Sequence, residues 1–163
     1  MKRLSAGKQE QLQLDDFVLF LDENLQNCKP ILDTLALNSV RFERHQAHFR
    51  RGENDELWLP QVADWGWIVL TKDKRNRYND LERVAVRRHR VREFYFSAGN
   101  MNGEEMARAL AQALPEMRRI LREYEPPVVG SITRRGAVTI LYDREGSTHR
   151  RRKQRGSRGT DSI

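Results

Sequence analysis

Three aspartates, Asp22, Asp55 and Asp73, stand where their side chains could act together. Asp22 falls at the end of FVLFLDEN, which runs from Phe17 to Asn24, and Asp73 closes WIVLTKD from Trp67. In both stretches unbroken apolar residues suit a strand buried on both faces, and an acid follows directly. Two such strands lying parallel would carry both carboxylates to the edge where open α/β sheets bind ligands. Asp55 follows a glycine-containing loop and opens an amphipathic stretch, so it can project over the same edge. Three carboxylates in one place repel one another, and a hard divalent cation removes the conflict. Mg²⁺ or Mn²⁺ held there would orient and deprotonate a water for in-line attack on a phosphodiester. Each acid also has a plainer reading, as a turn residue or as a first-turn acid favoured by a helix dipole.

The elements that would position these acids can be read in chain order. Residues 1–14 have no strong pattern and read as a loose lead-in to the first strand. A helix is expected from Asn27, with Pro30 in its first turn, an apolar stripe of Ile31, Leu32, Leu35 and Ala36, and a stop at Asn38. Val40 and Phe42 then alternate with Arg41 and Glu43 as a short strand, completing a βαβ unit. HQAHFRRGEN, residues 45–54, reads as a polar loop over the site. Asn54 is placed to cap a second helix with Leu57, Leu59, Val62 and Ala63 inside, closed by Gly66. After Asp73 a basic helix, KRNRYNDLERVAVRRHR, precedes a fourth strand, REFYFS. A long helix from Asn102 or Gly103 would bury Met106, Leu110, Ala113, Leu114, Met117, Leu121 and Tyr124, and Pro115 should kink or divide it. Val128 to Ile132 and Ala137 to Tyr142 read as a hairpin.

The charge is unevenly spread. The chain of 163 residues carries +7, of which +5 lies from Arg144 onward, so the body is only mildly basic. Residues 144–163 read as a disordered basic tail, and 15–143 as one domain. The single cysteine, Cys28, excludes an intramolecular disulfide and a cysteine-rich zinc site. With a polar start and no apolar run long enough for a membrane span, the expectation is a soluble cytoplasmic protein.

FLDEN at 20–24, DELWLPQVADWGWIVLTKD at 55–73 and the following KRNRYNDLE together resemble the PIN-like ribonuclease domains, in particular the branch of VapC-type toxins and related DUF5615-like proteins. The resemblance covers roughly residues 17–142. It implies an α/β fold, a three-layer sandwich with a mostly parallel central sheet, here followed by a C-terminal β-hairpin and the basic tail. It also implies an acidic cluster binding Mg²⁺ or Mn²⁺, cleavage of RNA, and a cognate antitoxin as partner. By motif, Asp22 matches the first-strand acid, Asp55 the middle acid and Asp73 the acid after the later strand. Many PIN domains have a further acid, but FYFSAGNMNGEE has no aspartate at the end of the fourth strand. Glu82, Asn100 and Glu104 are the candidates for that place, and Glu23 is a further metal candidate beside Asp22.

Substrate contacts would come from Asn24, Thr71, Lys72, Lys74, Arg75 and Arg77, with Arg50 and Arg51 in the loop as similar candidates. Thr71 could instead orient Asp73. Trp58, Trp65 and Trp67 could stack on bases, although core packing is the better reading for tryptophans in and beside an amphipathic helix. His45 and His48, without cysteine partners, read better as loop histidines than as zinc ligands. The leading expectation is a metal-dependent endoribonuclease acting as a toxin, with a homodimer plausible and no membrane partner. Its rivals are a catalytically inactive PIN-like RNA-binding module and a receiver-like domain, whose lysine should end a separate later strand.

Overall fold

The computed structural model describes residues 17–72, 88–143 and 146–147. The expected basic helix after Asp73 lies outside these residues except for its last positions, as do the lead-in at 1–14 and residues 148–163.

The first apolar run forms β1 (Val18–Leu21), and the chain continues through α1 (Lys29–Leu37) into β2 (Arg41–Arg44). Pro30 sits in the first turn of α1, where its missing N–H costs nothing, and Ile31 and Leu35 are the residues α1 buries. The helix stops at Asn38 as expected. Ser39 adopts φ 56°, and the amides of Ser39 and Val40 donate to the carbonyls of Ala36 and Leu35, a Schellman closure. A 3₁₀ turn (His45–Ala47) then leads through the loop into α2 (Asp55–Asp64). Gly66, at φ 75°, closes α2 in the same way, with the Gly66 amide on Ala63 and that of Trp67 on Val62. The chain then enters β3 (Ile68–Thr71).

Beyond β3 come β4 (Arg92–Phe96), α3 (Gly103–Glu123), β5 (Val128–Ile132), β6 (Val138–Asp143) and β7 (Gly146–Ser147). The strand order is β2-β1-β3-β4-β5-β6-β7; the first five strands are parallel and the last two antiparallel. The fold is therefore the expected α/β sandwich on a mostly parallel sheet. The C-terminal hairpin is part of that sheet rather than an addition to it, since β5 is the fifth parallel strand and follows α3 in a β-α-β crossover. Gly146 and Ser147, in the stretch expected to be tail, pair with β6.

Alternate residues of the strands face two cores. Leu19, Leu21, Ile68, Leu70, Phe94 and Phe96 pack against α1 and α3, whereas Phe20, Val69 and Tyr95 pack with Trp58, Leu59 and Val62 of α2. Two expectations need correction here. Leu57 points outward at 59 % exposure while Trp58 is buried at 2 %, because Trp58, Leu59 and Val62 share one face of α2. Pro115 does not divide α3, which runs unbroken for 21 residues. An interior proline costs about 3 kcal/mol or more, and the eight side chains α3 buries, at up to about 1.5–3 kcal/mol for each large one, offset it. Asn102 starts α3 with a full capping box, accepting from the Glu105 amide while the Glu105 carboxylate accepts from its own.

Candidate functional site

Parallel β1 and β3 are neighbours, and β2 lies on the other side of β1, so the chain reverses its direction of sheet growth between β1 and β3. Such a switch point opens a crevice at the carboxyl ends of the two strands. Asp22 follows the last residue of β1 and Lys72 the last residue of β3. Asp55 comes to the same edge by topology: β2 ends there, and α2 begins there before running back to the start of β3. Asp73, Lys74, Arg75, Arg77 and Glu82 lie outside the described residues, although Lys72 delivers the chain to this edge and is exposed.

Asp22 is 5 % exposed and tightly held. Its Oδ1 accepts from the backbone amides of Asn24 at 3.1 Å and Leu25 at 3.2 Å, the bonding expected of an aspartate that starts a turn after a strand. The hydroxyl of Thr71, itself fully buried, donates to Oδ2. Three donors from two strand ends thus fix the carboxylate's position, and Leu25, buried in the α1–α3 core, anchors the turn that supplies two of them. Thr71 therefore touches Asp22. The plain turn reading of Asp22 holds, and the turn fixes where the acid stands at the strand end.

The neighbouring residues 23 and 24 lie in the turn that follows β1. Asn24 is exposed. Glu23 accepts the Gly52 amide on Oε1 at 2.7 Å. Asp55 and Glu56 occupy the first turn of α2, where the dipole favours them, and the Asn54 side chain makes no cap hydrogen bond. Arg50 and Arg51 are exposed in the loop.

Two of the three places proposed for a further acid are described. Asn100 accepts from Arg134, which also reaches Glu105 at 3.0 Å, and Glu104 is exposed in the first turn of α3. At the end of β4 itself stands Ser97, whose hydroxyl donates to the Ile132 carbonyl at 3.3 Å. Sequence reasoning did not single out Glu93, which is buried in mid-sheet on the α2 side between Val69 and Val129. Buried Asp143 lies at the opposite edge.

The aromatic residues are mostly structural. Trp58 packs on Phe20 at 5.2 Å and on the edge of His45 at 5.7 Å, while Trp65 stays 45 % exposed against Phe49 and Trp67. The two histidines do not converge: His45 is buried beside Glu23, and His48 Nε2 sits 2.9 Å from Glu43 at the surface.

Among the described residues no three His, Cys, Asp or Glu side chains form a metal-binding group. The acid that the described residues place at this edge, Asp22, offers oxygen, the donor type that suits a hard divalent cation. A doubly wound, mostly parallel sheet with Asp22 at its switch point defines the class, an α/β sandwich. The family model described as a PIN-like domain matches residues 17–98, just over half of the chain, and the chain belongs to that family. Members of the family are commonly nucleases and typically use divalent metals. No curated protein and no solved structure matched significantly. No helix of the described residues is long and apolar enough to cross a membrane.

Proposed function

We propose that the chain is an Mg²⁺- or Mn²⁺-dependent endoribonuclease with its site at the β1–β3 edge. The observation that carries this reading is the buried, three-fold hydrogen-bonded carboxylate of Asp22 at the switch point. A carboxylate so fixed cannot swing away, so its oxygens are preorganised for a ligand at the crevice. Asp55 and Asp73 complete the donor set, and Thr71 holds Asp22 in register with β3. A divalent cation bound there supplies an activated water and neutralises charge on the leaving oxygen. The chain's own part is to hold the acids, and to hold RNA phosphates with Lys72 and the basic residues that follow Asp73. The reading extends to a toxin checked by a cognate antitoxin, for which an adjacent small open reading frame would speak.

The test is cleavage of a structured RNA pool by purified protein. Cleavage is expected with Mn²⁺ or Mg²⁺ and its loss in EDTA; cleavage undiminished by EDTA would overturn the metal reading. A second reading, an RNA-binding module without catalysis, is favoured by Ser97 standing where a further acid would end β4. RNA bound but left intact with both metals would select it.

A further inference from the structure

The turn after β1 takes hold of the β2–α2 loop at three points. Gln26 Oε1 accepts the Gln46 amide at 2.7 Å, Glu23 Oε1 accepts the Gly52 amide at 2.7 Å, and His45 Nε2 stands 3.5 Å from that same Glu23 oxygen. His45 is the unusual member. It follows Arg44, which pairs with Leu21, so it lies beside Asp22, and its ring is 1 % exposed. Phe49 at 5.4 Å, Trp58 at 5.7 Å and Phe20 at 6.1 Å surround it, and neither ring nitrogen makes a hydrogen bond of good geometry. Burying an imidazole in aromatic surroundings is costly unless a polar partner is near, and the group brought to it is the Glu23 carboxylate.

Downstream of Phe49 the loop is closed by its own turn, the Arg50 amide donating to Glu53 Oε2 and the Glu53 amide to the Arg50 carbonyl, both at 3.2 Å, and the Gly52 amide is its tie to the turn after β1. Arg50, Arg51, Gly52 and Asn54 are exposed, and the next buried residue is Trp58. Gly52 takes φ 75°, and a Cβ there would meet nothing within 4 Å, so the glycine serves the backbone conformation that presents its amide to Glu23.

We propose that Glu23, backed by His45, is a latch that fixes the 50–54 loop at the acidic edge and thereby places Arg50 and Arg51 against substrate phosphates. Glu23 is then a positioning residue and not a metal ligand. The phosphate-binding part rests on the nuclease reading; the latch itself does not, and the experiment separates them.

In the full-length protein, Gly52 amide exchange is followed by NMR in the wild type, Glu23→Ala, Glu23→Gln and His45→Phe, alongside Mn²⁺ titration and RNA cleavage kinetics. Glu23→Ala should speed Gly52 exchange by about tenfold or more, since the hydrogen bond to a charged acceptor is lost. Glu23→Gln should retain most of the protection, because its amide oxygen still accepts, and it serves as the control that the fold survives. His45→Phe keeps the ring packing but removes the nitrogen, and should move the same amide in the same direction. KM for RNA should rise several-fold in Glu23→Ala with kcat and Mn²⁺ affinity retained, the pattern of lost binding rather than lost chemistry. Weakened Mn²⁺ binding in Glu23→Ala with Gly52 protection intact would make Glu23 a ligand and overturn the latch. Wild-type Gly52 exchange in both Glu23→Ala and His45→Phe would overturn it as well. Should the wild type cleave no RNA, the nuclease reading falls while the Gly52 exchange still decides the latch.

Discussion

Asp22→Asn is expected to slow RNA cleavage by at least about 10²-fold while leaving the protein folded, the size of effect seen when one preorganised charged or polar group is removed from a reaction centre. The substitution keeps the shape of the side chain. Its amide oxygen can still accept from the Asn24 and Leu25 amides, so the turn that anchors Leu25 is preserved. What changes is the charge. A neutral amide is a poor partner for a divalent cation, and it presents an NH₂ where Oδ2 met the Thr71 hydroxyl. Thr71→Val, which leaves the carboxylate and removes one of its orienting donors, should cost less, about 10–100-fold in metal affinity or rate. Single-turnover kinetics with circular dichroism on the same samples reads both. A cleavage rate unchanged in Asp22→Asn would remove this acid from the reaction.

Trp58→Ala should be the most destabilising single change on the α2 side of the sheet, at about 3–5 kcal/mol out of a total of about 5–15. Trp58 is 2 % exposed and touches Phe20, His45 and Phe49, so truncation opens a cavity shared by the sheet, the 3₁₀ turn and the loop. Those neighbours belong to three separate stretches of chain, and they cannot all close on the void together. Urea denaturation followed by circular dichroism is the measurement, with the midpoint expected to fall sharply. Exposed Trp65, truncated in parallel, should change it far less.

Much of the fold was legible because the strands announce themselves. In β1 and β3 consecutive apolar residues are all buried, with opposite faces serving the two cores, and no helix needs such a run. Asn102, Glu104 and Glu105 likewise marked the start of α3. The phase of α2 was harder. Leu57, Trp58 and Leu59 are adjacent and apolar, and only the sheet decides that Leu57 is left outside. Pro115 leaves α3 undivided, which local propensity could not foresee, since it knows nothing of the core along which α3 packs on both sides of it. The hairpin was visible as a local pair, whereas the long-range parallel pairing of β5 with β4 was not.

At the site the same division holds. The ends of β1 and β3 could be placed together from the sequence, and the order of the sheet puts them on adjacent strands. The contact of the Thr71 hydroxyl with Asp22 was not foreseen, because it is set by the register that places Leu21 beside Leu70. Burial of His45 was not legible. It sits in a polar, basic stretch, and the rings that enclose it come from β1, the loop and α2.

The measurement that tests the central claim most directly is equilibrium Mn²⁺ binding by the wild type and by Asp22→Asn, Asp55→Asn and Asp73→Asn, each checked for folding. The account predicts that every one of the three substitutions weakens Mn²⁺ binding by about tenfold or more, as loss of a charged ligand from a shared oxygen site should. Folded variants that all bind Mn²⁺ as tightly as the wild type would contradict it.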